Sequence, residues 1–303
     1  MRKEQQVSLR QVLAPKYWLT WLGLGLLRLS IFLPFSVLER LGKVIGRLLK
    51  RLVKKRADVA RVNLQHCFPE CSAQEIEALL RRHFEALGIA LFETALCWWG
   101  RPAYLSGLIK EIKGLEHAIA ATDKGQGVIL LSAHFTTLDI GGRLLVPHFG
   151  FSPVYRRMNN PLLEFLTQKG RSKGTQGAIP RENMKALIRH LRSGKAIWFA
   201  SDQQHQGSHS ALINFMGQPA HSATGTSDIA KLGRAAVIPF FVYRTDGGYV
   251  LELSPPLNDF PSGDAVADTE RYHQIIESYI HKNPEQYLWV HKRFKGATDT
   301  LYS

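Results

Sequence analysis

Cysteine is scarce, with only Cys67, Cys71 and Cys97 in 303 residues. An odd number cannot pair completely, and the Cys67/Cys71 spacing has no second pair behind it to complete a metal site. A disulfide framework and a four-cysteine zinc site are therefore excluded, and the thiols read as reduced ones of a chain facing the cytosol. No serine sits in a G-x-S-x-G elbow, which removes that route to a serine nucleophile. Internal repeats and low-complexity tracts are absent, so the chain is neither a solenoid nor a disordered tail. Acidic residues are scarce at one end. Residues 1–56 hold only Glu4 and Glu39 against thirteen Lys or Arg, a net +11 out of +14 for the whole chain. The rest of the composition, 45% hydrophobic and 21% charged, is that of a folded protein.

No apolar run of membrane length is free of charge. The best, Tyr17 to Phe35, contains Arg28. At 1.5 Å per residue its nineteen residues reach about 28 Å, close to the ~30 Å of a hydrocarbon core. Tyr17, Trp18 and Trp21 gather at one end, where amphipathic rings favour the interface. Arg28 costs about 2.5–3.5 kcal/mol at mid-membrane unless the segment lies partly in the plane, and Pro34 bends or ends it. The expectation is an N-terminal hydrophobic membrane-anchor helix, with a buried helix of a soluble core as the alternative. Residues 36–56 carry eight basic residues and one acid. That excess keeps the downstream side cytoplasmic and suits an anionic membrane surface. Beside an apolar 19-mer, the membrane accounts for this charge better than nucleic acid does, and no nucleic-acid partner is expected. The organisation expected is an anchor and basic amphipathic region over 1–56, then a single α/β domain over 57–303.

The periodicity predicts helices over 37–55 and 75–99, the second with Ser72 as a candidate cap and Arg101-Pro102 as its stop. After Gly125 short apolar strands alternate with helices. Strands are expected at 127–135, 152–157, 195–201, 235–244 and 249–254, the last two joined by Asp246-Gly247-Gly248. Helices are expected from 136, 161, 182, 222 and 266. This alternation is the pattern of an α/β fold whose functional residues stand at strand C-terminal ends.

His134 stands at the end of the apolar strand expected at 127–135, and Asp139 lies five residues on, in the first turn of the next helix. A carboxylate there can orient the imidazole, leaving its other nitrogen to take a proton from a hydroxyl. Acyl transfer from a thioester needs such an activated alcohol, and without a credible serine or cysteine nucleophile direct attack is favoured. On spacing alone a second reading stays open: Thr136 with Asp139 also has the spacing of a helix capping box, which leaves His134 an ordinary loop residue. His205 and His209 have the spacing of a zinc pair but no third ligand, so no metal is expected.

Many short patterns occur in one order along the chain: Arg56, Ala57, Ala60, Asn63 and Leu64, then Cys67-Phe68-Pro69-Glu70; His134 and Asp139; Tyr155, Arg156, Asn159, Asn160, Pro161 and Leu162; Gly170-Arg171; Asp202-Gln203; Phe215, Gly217, Thr224-Gly225 and Pro239; and Pro284 to Trp289 before His291-Lys292-Arg293-Phe294-Lys295. In these the chain resembles the bacterial lipid A biosynthesis late acyltransferases, the lauroyl/myristoyl branch of the lysophospholipid acyltransferase superfamily. His134 and Asp139 match that family's H-x4-[DE] motif, with Asp where many relatives carry Glu.

The resemblance implies a mixed central sheet flanked by helices, glycerolipid-acyltransferase-like, with an anchor at the inner membrane and the catalytic domain facing the cytoplasm. It implies an acyl carrier protein thioester as co-substrate, no other cofactor, and a Kdo-bearing lipid A precursor as acceptor. His134 would act as general base and Asp139 as its orienter. Arg156 and Arg171 would hold acceptor phosphates or sugar carboxylates. Asn159, Asn160, Asp202 and Thr224 would shape or contact the acceptor site, with helix capping the alternative for Asn159, Asn160 and Thr224 and a structural ion pair to an arginine the alternative for Asp202; His291 and Arg293 would meet an acidic headgroup or the acidic carrier. A lysophospholipid or other glycolipid acceptor, or a non-catalytic membrane-binding role, are the competing readings.

Overall fold

The computed structural model describes residues 14–156, 164, 175–298 and 301–302. Its centre is a seven-stranded sheet in the order β1-β9-β8-β2-β5-β3-β4. The strands are β1 (Ile109–Lys113), β2 (Gly127–Ser132), β3 (Phe151–Tyr155), β4 (Ile179–Pro180), β5 (Ala196–Ala200), β8 (Ala235–Thr245) and β9 (Gly248–Leu253). From β8 to β4 the strands are parallel, whereas β9 returns antiparallel to β8 and β1 runs parallel to β9. The sheet is therefore mixed. Gly247, at φ +67°, makes the tight turn between β8 and β9. β2 is buried along its whole length, as a central parallel strand covered on both faces must be.

The strands alternate between two cores. Ile129, Leu131, Ile197, Val237 and Phe241 face one; Val128, Leu130, Trp198, Ile238, Phe240 and Val242 face the other. The first is covered by α3 (Lys54–Cys67), the first half of α4 (Ala73–Trp99), α8 (Met184–Arg192), α9 (Gly225–Gly233) and α10 (Ala265–Lys282). The second is covered by α2 (Phe35–Leu52), the end of α4, α5 (Pro102–Ser106), α6 (Leu115–Asp123) and α7 (Leu138–Leu145). β6 (Ser210–Phe215) and β7 (Gln218–Ala223) form a separate antiparallel hairpin. Ser72 caps α4 through a capping box with Glu75.

The N-terminal segment departs from expectation. In place of one helix over 17–35, α1 (Trp18–Ser30) ends before a break at 31–34, and Pro34 caps the start of α2. Thirteen residues reach about 20 Å, and no helix among the described residues is long and apolar enough to cross a membrane. The break follows from Pro34, whose ring cannot continue the helix behind it. The helix expected over 37–55 also breaks, at Val53. A Cβ on Gly46 would overlap the carbonyl of Phe84, and one on Gly88 the carbonyl of Gly42, so α2 and α4 meet backbone to backbone.

Two buried histidines make acid stability a testable property. His83 on α4 donates Nδ1–H to the Glu285 carbonyl at 3.0 Å, and His273 on α10 donates to the Thr269 carbonyl at 2.8 Å. Burial lowers His83 to about 4; burial and then the Arg293 charge lower His273 to about 3. Both folded values lie below the unfolded one near 6.5. Their stabilisation is thus complete above pH 6.5 and is lost as pH falls toward 4 and 3. The His83 share is on the order of 3 kcal/mol. The expected result is a urea midpoint that falls between pH 6.5 and 4, less steeply in His83→Gln.

Candidate active site

Strand register builds the site. β2 and β5 run parallel with Ser132 opposite Ala200. Two residues beyond each strand end, His134 and Asp202 are thus neighbours at the C-terminal edge of the sheet. His134 Nδ1 lies 2.6 Å from Asp202 Oδ1, and the His134 backbone N–H donates to the same oxygen at 3.0 Å. Asp202 can only accept when ionised, which fixes the Nδ1–H form of the ring. Its other oxygen accepts from the Tyr287 hydroxyl at 3.0 Å. Asp202 is 1% exposed, while the His134 side chain keeps 28% of its surface. Burial alone would push the Asp202 carboxyl up, but the charge and hydrogen bonds of His134 and the Tyr287 hydroxyl hold it below the usual carboxylate range. Burial and then the Asp202 charge push the Tyr287 phenol well up, so it stays a donor.

The segment after α10 straps this loop in place. Thr136 N–H donates to the Gln286 carbonyl at 2.7 Å and Leu288 N–H to the His134 carbonyl at 2.9 Å. Asn63 on α3 donates its amide to the Trp289 and His291 carbonyls, both at 2.7 Å. The Gln286 side chain accepts from Arg244 N–H at 2.8 Å and donates to its carbonyl at 3.1 Å. Arg244 in turn is held by Glu93 at 2.6 and 2.8 Å, and Glu93 also accepts from the Tyr249 hydroxyl at 2.6 Å.

Asp139 lies in the first turn of α7. The capping-box alternative does not form. The N-cap is Thr137, without a side-chain cap bond, and its hydroxyl goes instead to the Val242 carbonyl at 2.5 Å. For Asp202 the expectations are an acceptor contact or a structural ion pair with an arginine; its buried carboxylate is directed at His134 and Tyr287. Arg293 is 2% exposed and donates to the His221 carbonyl at 2.8 Å and to the Ser222 hydroxyl, with its guanidinium over the Phe215 ring. It braces β7 and is not presented to a headgroup. His291 is half-buried, and burial lowers its pKa. Thr224 occupies the N-cap of α9 without a side-chain cap bond.

Arg156 stands exposed just beyond β3, at the same sheet edge as His134 and Asp202. Since Tyr155 lies opposite Pro180, Arg181 is its register neighbour, a cation the sequence reading missed. Asn159, Asn160 and Arg171 lie outside the described residues, as does most of the helix expected from 161. The Cys67 thiol is buried and pushed up by desolvation, which makes it an inert side chain.

A sequence model of the bacterial lipid A biosynthesis acyltransferases matches residues 6–296. The chain belongs to that family. This acyltransferase is 36% identical over 298 residues to the lipid A biosynthesis lauroyltransferase of Escherichia coli K12, covering 96% of each chain. To the palmitoleoyltransferase of the same organism it is 35% identical over 289 residues, covering 94% of each. To the myristoyltransferase the figure is 26% over 291 residues, covering 93% of this chain and 88% of the relative. The acyltransferase thus carries its buried His–Asp–Tyr arrangement at the sheet edge where α/β folds place their ligands.

Proposed function

We propose that the protein transfers a fatty acyl chain from an acyl carrier protein thioester to a hydroxyl of a Kdo-bearing lipid A precursor, at the cytoplasmic face of the bacterial inner membrane. The observation that carries the mechanism is His134 held at Nδ1 by the buried Asp202 carboxylate. With Nδ1–H committed to Asp202, proton exchange falls to Nε2. The acceptor hydroxyl gives its proton to Nε2 as its oxygen attacks the thioester carbon. The C–S bond then breaks, and the leaving thiolate takes the proton back from the imidazolium. Asp202 stabilises that imidazolium. Asp139, in the first turn of α7, is the second carboxylate that orients His134, at a helix N-terminus that favours its charge. Tyr287 and the backbone strap fix Asp202 and the His134 loop. Arg156, with Arg181 beside it and Arg171 outside the described residues, gives guanidinium groups for acceptor phosphate or carboxylate.

The test is transfer of labelled acyl chains from acyl carrier protein, in detergent micelles, to a Kdo-bearing precursor, the same precursor without Kdo, and a lysophospholipid. The expected result is rapid acylation of the first and at most a few per cent of that rate on the lysophospholipid, on the order of 2 kcal/mol of discrimination. Turnover on the lysophospholipid alone would replace the acceptor assignment.

A further inference from the structure

Buried charges ordinarily take a partner of opposite sign, as Arg244 takes Glu93. Arg293 does not. Among the described residues its hydrogen-bond partners are all neutral. It donates to the His221 carbonyl at 2.8 Å, to the Ser222 hydroxyl, and to His273 Nε2 at 3.4 Å. His273 can accept there because its Nδ1–H is committed to the Thr269 carbonyl. The guanidinium lies 4.6 Å from the centre of the Phe215 ring, and its Nε–H is buried without an acceptor. Asp202 is the converse case. The His134 backbone N–H, His134 Nδ1–H and the Tyr287 hydroxyl reach it, and none is charged while the imidazole is neutral. A brace for β7 needs donors only; a full charge adds a desolvation cost that a neutral amide would avoid.

The two charges share one stretch of core. Tyr287, which donates to Asp202, has its ring 6.1 Å from the Phe215 ring that Arg293 covers. Along a second route, Ser201 precedes Asp202 and Ser222 precedes Ala223. The buried Tyr272 hydroxyl joins them, meeting Ser201 Oγ at 3.2 Å and donating to the Ala223 carbonyl at 3.1 Å. Attraction reaches further in such an interior than at a surface. Tyr287, His273 and His291 each feel Arg293 in one sense and Asp202 in the other.

We propose that Arg293 is the buried counter-charge of Asp202 and a positioning residue for acyl transfer, holding the carboxylate ionised and His134 in its neutral, proton-accepting form. Before transfer the imidazole is neutral, and Asp202 and Arg293 sum to zero. When Nε2 takes the hydroxyl proton, Arg293 opposes the second cation and favours its passage to the leaving thiolate. The inference rests on His134 as the base and adds what keeps it unprotonated beside a buried carboxylate. The other groups facing Arg293 leave few rivals. His273 and His291 are kept neutral by burial, as are Tyr272, Tyr287, Tyr302 and the Cys67 thiol. The rival acid is Glu277, half-buried, raised by that burial and bound to Met216 N–H at 3.0 Å. On the His134 side stand Asp202 and, in the first turn of α7, Asp139, with Arg56 beyond His291.

Acyl transfer by the full chain in detergent micelles, followed across pH, tests it. Arg293→Met should move the acid limb of the profile up by about half a pH unit or more, so that the rate below the limb falls about threefold further than the plateau. Arg293→Lys, which keeps a charge but loses the fork, should return the limb to its wild-type position. Glu277→Gln should leave it there. A limb that stays put in Arg293→Met, with the rate lowered equally at every pH, is what a brace alone gives and overturns the assignment. So does a limb that moves as far in Glu277→Gln. Urea unfolding gives a second readout that needs no turnover. Arg293→Met should lower the midpoint less in Asp202→Asn than in the wild type, because the opposite charge is already gone. Equal losses in both backgrounds, or failure of both variants to fold, would leave Arg293 a brace and overturn the pairing. Absence of transfer by the wild type would instead overturn His134 as base, and the urea comparison would still decide the pairing.

Discussion

His134→Ala is expected to lower acyl transfer by about 10²–10⁴-fold with little change in KM, because it removes the proton acceptor and leaves the acceptor and donor surfaces intact. Asp202→Asn is expected to approach the same loss by a different route. The amide can still accept Nδ1–H, so the ring keeps its place, but the charge that stabilises the imidazolium is gone. Two readings separate this from a merely structural role. The acid limb of the pH–rate profile should move to lower pH, since an imidazolium without its carboxylate forms less readily. The melting temperature should fall by no more than several degrees, since the amide oxygen keeps the two His134 hydrogen bonds while the charge that those bonds favour is lost. Tyr287→Phe, which removes one donor to Asp202 at 3.0 Å, should cost about tenfold or less. Wild-type turnover in Asp202→Asn would show that His134 works without its buried partner.

The second large effect concerns stability. Glu93 is 1% exposed and carries the Arg244 guanidinium and the Tyr249 hydroxyl on one oxygen. Glu93→Ala leaves a guanidinium buried without its counter-charge, an expected loss of about 3–5 kcal/mol in urea unfolding. Glu93→Met combined with Arg244→Met should recover most of that loss, since an apolar pair of similar volume avoids both desolvation costs. The damage should also reach the site. The Arg244 backbone clamps the Gln286 side chain, and the Gln286 carbonyl takes Thr136 N–H, two residues from His134. A double variant less stable than Glu93→Ala would mean the pair contributes more than mutual neutralisation.

Much of this architecture is legible in the residues, for reasons that also mark the limit. Strands such as GVILLS and AIWFA announce themselves because a doubly covered parallel strand must be apolar throughout. Ser72 with Glu75 is legible because a capping box needs only local spacing. The hairpin of β6 and β7 was missed, although Ala211-Leu212-Ile213-Asn214-Phe215 leads to a turn at Met216-Gly217, because its polar residues mask the alternation. β1 was missed for a similar reason: Ile-Lys-Glu-Ile-Lys buries only part of itself. In the site, His134 was found from its strand end. Its buried partner Asp202 reads equally as an acceptor contact or a brace for an arginine, because nothing within one strand shows which strand lies beside it. The register of β2 against β5 supplies that, and it is a long-range property of the sheet. Arg293 misled for the opposite reason. A basic residue among basic residues reads as surface, yet the Phe215 ring, the His221 carbonyl and the Ser222 hydroxyl draw this one inside.

The strap over His134 has a consequence for how the molecule comes into being. Gln286, Tyr287 and Leu288 follow every strand of the sheet in chain order, whereas α1 and α2 precede them all. During translation the exposed apolar rows of α1 and α2 emerge first, and the residues that seat the imidazole emerge after more than two hundred others. A chain still on the ribosome can have its helices and most of its strands in place while the histidine loop lacks its partner segment. Folding would then precede competence, and a product truncated before Gln286 would keep most of the sheet without an aligned imidazole.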